Sequence, residues 1–260
     1  MSSYTQQLQR RVFALGFILL VLVSTVSYVV WQDAQKNLAL TPTDIKATRI
    51  AIHRTGSDTI KMVKTLDTWS VQSPCSVLAN QQRVETLLSA LAAGSFQYNA
   101  AEVDRAAAGL ITPLASVFIN DIEHRIGNTD LSEQKRYVQR GDVIELIPEW
   151  VLSLISGGVT AMAELSVLPP NTVNIELINR EESQTLQSEQ TIELWQSLSA
   201  QQLVSYPPPN LPAQSATTLI ATNDVGESFK YSIYHTDKYT VMHYAQAQCA
   251  YILPLDTLPE

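Results

Sequence analysis

Residues 12–31 read VFALGFILLVLVSTVSYVVW, a run without a single charged side chain. At about 1.5 Å per residue a helix of this length reaches about 30 Å, the depth of a bilayer's hydrocarbon core, where the backbone must satisfy its own hydrogen bonds. Arg10 and Arg11 precede the run and Asp33 is the first charge after it. The positive-inside rule then places 1–11 in the cytoplasm and all that follows on the other face, with Tyr28 and Trp31 as interfacial anchors. The stretch therefore predicts a single-pass protein of a bacterial inner membrane, with the helix at 12–31, a polar stalk at 32–47 broken by Pro42, and a periplasmic remainder. A cleavable signal peptide ending at Thr25 and Ser27 is the competing reading; the apolar run through Tyr28 to Trp31 favours a retained anchor.

The chain has 260 residues, 45% of them hydrophobic, enough for one large or two modest domains. Its 17 basic and 25 acidic residues give a net charge of −8. Without Arg10 and Arg11 the remainder carries 15 basic residues (17 − 2) against 25 acidic ones. That balance disfavours nucleic acid as a partner. The two cysteines, Cys75 and Cys249, form a disulfide candidate in an oxidising compartment, with two unconnected buried thiols as the alternative.

Beyond the stalk the pattern turns to strands. Arg49 to Arg54 alternates, Gly56-Ser57-Asp58 makes a turn, and Thr59 to Val63 and Trp69 to Val71 continue a meander that ends at Ser73-Pro74. Asn80 is a helix N-cap before Val84, Leu87, Leu88 and Leu91 at helical spacing. A second short helix is expected over 101–108, stopped by Gly109. Strands follow at 116–120, 122–126, 136–139 and 143–147, then a helix over 148–155 that begins at a proline. An apolar linker, 159–168, leads to Pro169-Pro170. A second series begins with a strand at 172–179 and a helix at 189–203. The prolines at 207–209 and 212 impose an extended crossing, and strands at 216–222, 228–235, 239–244 and 249–253 complete it.

The two series match at a constant offset. Leu87 and Leu194, Leu88 and Trp195, Leu91 and Leu198, Ile122 and Phe229, Ile126 and Ile233, Tyr137 and Tyr244, and Gln139 and Gln246 are each 107 apart, as in 194 − 87. Such a period is too long for a solenoid unit and fits a duplicated small module. The expected fold class is α+β: an N-terminal transmembrane helix, then a duplicated module of antiparallel sheet with one packed helix, the first copy at 48–168 and the second at 169–260.

On Trp69-Ser70-Val71-Gln72-Ser73-Pro74, Ala79 to Leu91, Gly109-Leu110-Ile111-Thr112-Pro113, Ile126-Gly127-Asn128 and Arg136-Tyr137-Val138, the chain resembles a bacterial family of domains of unknown function. That family occurs in membrane-anchored extracytoplasmic proteins, beside or fused to subunits of gliding-type ABC transporters. The likeness covers about Ile50 to Leu168, and the second half joins it only through the repeat. It supplies no catalytic residues and implies a membrane-protein partner complex by association alone.

Residue by residue, no catalytic constellation stands out. His53 and His124 are isolated, and His235 and His243 flank the Thr236-Asp237-Lys238 turn on opposite arms of a hairpin, about 13 Å apart, too far to share a metal. There is no G-x-S-x-G, and Ser156-Gly157-Gly158 reads as a helix stop. Glu181-Glu182 is a solvated pair, and no phosphate-cradling glycine pattern occurs. No cofactor or metal is expected. The remaining enrichment is aromatic, Phe229, Tyr231, Tyr234, Tyr239, Tyr244 and Tyr251. Tyrosine on a sheet serves recognition at low entropy cost, and it serves equally as strand filler. Tyr231, Tyr234, Tyr239 and Tyr244 are the candidate interaction surface. The sequence is thus read as a non-catalytic scaffold or accessory subunit of a membrane complex, such as an ABC-type transporter, with a periplasmic peptide- or glycan-binding module as the alternative and a hydrolase as the least favoured.

Overall fold

The computed structural model describes residues 20–28, 46–179, 183–212, 217–255 and 257–259. The expected α+β fold behind a membrane-spanning helix is corrected on two counts. The protein is mostly β, 44% strand against 18% helix, arranged as two large antiparallel sheets. Among the described residues no helix is long and apolar enough to cross a membrane. The described part of helix α1, residues 20–28, covers about 13 Å at 1.5 Å per residue. Arg10, Arg11, Trp31 and the parts of 12–31 other than 20–28 lie outside the described residues, and Tyr28 is the last described residue of α1, with 60% of its surface exposed.

The first sheet contains β1 (Arg49–Arg54), β2 (Ile60–Thr65), β3 (Thr68–Ser73), β4 (Val77–Leu78), β5 (Ser95–Asn99), β6 (Ala115–Ile119), β7 (Ile122–Asp130), β8 (Lys135–Arg140) and β9 (Val143–Pro148). Helix α2 (Gln81–Ala92) precedes β5. Two short helices, α3 (Val151–Ser156) and α4 (Val159–Met162), lead to the second sheet. That sheet contains β10 (Thr172–Ile178), β11 (Ser183–Leu186), β12 (Gln202–Ser205), β13 (Thr217–Asn223), β14 (Ser228–His235), β15 (Thr240–Tyr244) and β16 (Cys249–Leu253), with helix α5 (Glu189–Gln196) before β12.

The strand orders are β4-β3-β2-β1-β6-β7-β8-β9-β5 and β11-β10-β13-β14-β15-β16-β12. Without β4 and β3 the first order is the second, strand for strand. In both, a helix carries the chain across to an edge strand paired with the last strand of the meander, β5 with β9 and β12 with β16. The offset is 123 at the first strands (172 − 49) and 107 at the edge strands (202 − 95), because only the first sheet inserts β3 and β4. The sequence reading missed both of these strands, and the opposite edges β4 and β11 as well. It also expected a helix at 101–108, which is a series of turns, and ran the second helix on to 203, although α5 ends at Gln196 and β12 begins at Gln202.

Alternation assigns one face of each sheet to a shared core. Ile50, Ile52, Met62, Val117, Ile126 and Val138 from the first sheet and Ile175, Leu219, Ile233, Met242 and Leu253 from the second belong to one continuous cluster. The Asn80 side chain accepts a hydrogen bond from the Arg83 N–H at the start of α2, which buries Val84, Leu87, Ala90 and Leu91 in that core. Burying each of Val84, Leu87 and Leu91 is worth about 1.5–3 kcal/mol. Gln81 fixes the helix to β3, accepting from the Trp69 N–H and donating to the Trp69 carbonyl.

The segment after α4 stitches the sheets together. The Glu164 N–H donates to the Leu78 carbonyl, the Ala200 N–H to the Leu165 carbonyl, and bridges join Ala79 with Ala163 and Ser166 with Ser199. Cys75 and Cys249 form a disulfide across the same junction, with Cα atoms 5.4 Å apart and a sequence separation of 174. In the chain-entropy model a loop of that length is worth about 5 kcal/mol.

The outer face of each sheet carries a smaller cluster under the loop that follows its edge strand. Ala108, Leu110, Ile144 and Tyr137 pack together on the first sheet; Tyr234, Val241, Ala250, Tyr206 and Leu211 do so on the second. Gly127 lies within β7 rather than in a turn. A Cβ there would stand 2.2 Å from the Ala108 carbonyl oxygen, so the loop can approach only a glycine.

Candidate functional site

A cleft of about 740 Å³ opens where the two sheets meet, a size usual for ligand pockets. One wall is β3, β4 and the start of α2, contributing Ser70, Val77, Leu78 and Gln81. The opposite wall is the core-facing side of β14, β15 and β16, which contributes Phe229, Tyr231, Tyr244 and Tyr251. The stitching segment, from Glu164 through Leu168 to Pro170, lies at its base.

Register brings the aromatic side chains together. Tyr231 pairs with Tyr244 across β14 and β15, their ring centroids 5.3 Å apart, and the Phe229 ring lies 6.0 Å from that of Tyr244. Tyr231 and Tyr251 are 4% and 8% exposed, so they are core side chains at one end and cleft wall at the other. Burial pushes the Tyr251 hydroxyl up to about 12, with the Glu164 carboxylate adding to the shift. Burial, with Tyr251 and Tyr244 nearby, pushes the Tyr231 hydroxyl up as well. Both therefore stay neutral, as hydrogen-bond donors, through the physiological range. Among the described residues no hydrogen bond engages the hydroxyls of Tyr231, Tyr244 or Tyr251.

Glu164 is the charged group of the cleft. Its Oε1 accepts from the N–H groups of Leu165 and Ser166 and from the Ser166 hydroxyl, which fixes the carboxylate in place. The sequence reading did not single it out; lying between α4 and a proline pair, it carried no motif.

The four tyrosines of the expected interaction surface separate onto two faces. Tyr231 and Tyr244 face the cleft, whereas Tyr234 and Tyr239 belong to the outer cluster of the second sheet. There the hydroxyls of Tyr234 and Tyr206 are 2.9 Å apart, and Tyr206 stacks on His243 at 3.5 Å between centroids. The hydrogen bond to Tyr234, then burial, pushes Tyr206 up to about 12.

The other expected residues are scattered. His53 contacts the Thr59 hydroxyl at 3.1 Å, His235 contacts Thr240 at 3.3 Å, and His243 lies opposite Ser232 rather than near His235. Among the described residues no group of three or more His, Cys, Asp or Glu is placed to hold a metal ion. The Ser156 hydroxyl donates to the Ser153 carbonyl at the end of α3, and Glu181 and Glu182 lie outside the described residues.

The first sheet carries different chemistry at the positions that match the aromatic wall. Ile126 pairs with Ala115 and Val138, and Ile233 pairs with Thr217 and Met242, which fixes the correspondence. Two residues earlier, His124 stands where Tyr231 does. Arg140 and Glu145 likewise stand where Tyr244 and Tyr251 do. Arg140 Nη2 and Glu145 Oε1 are 3.3 Å apart, and Glu145 is buried. Burial lowers the His124 pKa, with Arg140 acting in the same direction.

Comparison with family models, with curated proteins and with solved structures finds no match to this chain.

Proposed function

We propose that this protein is a non-catalytic, extracytoplasmic binding module whose inter-sheet cleft holds a short apolar peptide segment bearing an amino group. The observation that carries the reading is the aromatic wall: three tyrosines whose hydroxyls have no hydrogen-bond partner among the described residues border a mostly apolar cleft with one fixed carboxylate. Val77, Leu78, Leu168 and the two prolines present apolar surface to side chains. The tyrosyl O–H groups can donate to peptide carbonyls, and Glu164 suits a lysine side chain or a free amino terminus. The disulfide supports an oxidising compartment. Membership of a membrane transport or envelope complex rests on the family resemblance alone, and such a peptide would be a segment of a partner subunit.

Selection from a displayed library of random hexapeptides tests this. Enrichment of apolar sequences with one lysine or a free amino terminus is expected, and Glu164→Gln is expected to abolish the preference for the amine while apolar enrichment persists. Tyr244→Ala, at a half-buried position, is expected to reduce capture with little change in melting temperature. Selection of acidic sequences, or none, overturns the proposal.

A further inference from the structure

A second cleft, of about 940 Å³, lies at the other end of the first sheet, where β1 and β8 meet α3. Its cations are Arg54, Lys135 and Arg136 and its carboxylates Glu133 and Glu149, a local positive surplus in a chain of net charge −8. Arg136 is 8% exposed and held by donation from Nη1 to the Gly127 carbonyl at 2.8 Å. Its Nη2 is 3.7 Å from Glu149 Oε1, beyond a hydrogen bond, and Glu149 itself is more than half exposed. Among the described residues the buried Nε groups of Arg136 and Arg54 have no hydrogen-bond partner. Arg54 donates through Nη1 to the Ser156 carbonyl, which fixes it beside α3.

Beside these arginines Trp150 leaves 46% of its surface exposed. The hydroxyls of Ser153 and Ser156 already donate to the carbonyls of Trp150 and Ser153, so they offer acceptor lone pairs. A flat apolar ring face, one buried and one half-buried arginine and hydroxyl acceptors are together the chemistry of a sugar carrying a carboxylate. We propose that this cleft is a binding site for an acidic saccharide. Its carboxylate displaces Glu149 at Arg136 and engages Arg54, its ring lies on Trp150, and its hydroxyls donate to Ser153 and Ser156. Glu149 is then an internal competitor that occupies the guanidinium loosely until ligand arrives.

The test is titration of the ¹⁵N-labelled full chain with glucuronate and, separately, with glucose, following the Trp150 indole N–H, assigned by its loss in Trp150→Phe. Glucuronate is expected to move that signal to saturation and glucose to leave it in place at the same concentration. Arg54→Gln, with Arg54→Lys as the variant should the first fail to fold, is expected to weaken glucuronate binding about tenfold, the worth of one charge-assisted hydrogen bond. Glu149→Gln is expected to tighten it. Equal response to both sugars, response to neither, or weaker binding by Glu149→Gln overturns the proposal. None of these outcomes depends on the aromatic cleft.

Discussion

The two sheets share a strand order but differ at one matched patch on their core-facing sides. In the first the patch is His124, Arg140 and Glu145, with an ion pair between the last two; in the second it is Tyr231, Tyr244 and Tyr251, opening on a cleft. Arg140 pairs with Glu145 and His124 Nδ1 contacts the Ile122 carbonyl, whereas among the described residues no hydrogen bond engages the three tyrosyl hydroxyls. One backbone plan therefore supports a patch with an internal ion pair and one that opens on a cleft. The inserted β3 and β4 matter here, because they supply the opposite wall of the cleft.

The junction that sets this difference can be broken at the disulfide. Replacing both Cys75 and Cys249 by alanine is expected to cost up to about 5 kcal/mol in urea denaturation, the loop being long. It is also expected to weaken peptide capture at the aromatic cleft more than glucuronate binding at Arg136, since only the former lies beside the bond.

The outer faces offer a second contrast. Gly127 and Tyr234 hold the same position, one residue past the matched Ile126 and Ile233. Gly127→Ala forces a Cβ to 2.2 Å from the Ala108 carbonyl, and a cost of about 3 kcal/mol is expected, measured by the shift in denaturation midpoint. Tyr234→Phe keeps the ring's packing, removes only the contact with the Tyr206 hydroxyl and is expected to cost about 1 kcal/mol.

The smallest effect is one of pH. Burial lowers the His124 pKa in the folded state, so between that value and the unfolded value near 6.5 the unfolded chain binds more protons. Stability contributed by neutral His124 is full above the unfolded pKa and is lost as pH falls towards the folded one. His124→Gln is expected to flatten the pH dependence of the melting temperature in that acidic window, and an unchanged slope would remove His124 from the patch's electrostatics.

Some of this was legible in the residues. The offset of 107 holds at the edge strands; at the helices it is 108 (189 − 81), which aligns buried Leu87 with Trp195 rather than with exposed Leu194, and at β6 and β13 it is 102 (217 − 115). The offset of 107 holds again at β7 and β14, where Ile126 and Ile233 coincide. It fails at the next strand. Val138 and Met242, which pair with those isoleucines, are 104 apart (242 − 138), because the β7–β8 connection is three residues longer. The attractive match of Tyr137 with Tyr244 is therefore out of register, and an odd slip reverses faces: Tyr137 packs on the outside and Tyr244 lines the cleft. The same parity separates Tyr231 from Tyr234, which a count of aromatics along the strand cannot do without knowing which face is inward. The edge strand β12 is hidden because no glycine or proline separates it from α5; β5 does follow a glycine, Gly94, but its five residues carry no clear alternation. At residues 12–31 hydropathy carried the reading of a spanning helix, and the described helix is too short for it.

The most direct measurement is titration of protein carrying ¹³C-labelled tyrosine rings with an apolar hexapeptide containing one lysine. Saturable shifts confined to Tyr231, Tyr244 and Tyr251, and reduced in Glu164→Gln, are the expected result. Shifts at Tyr234 and Tyr239 with none at the cleft would contradict the assignment of the aromatic wall as the binding site.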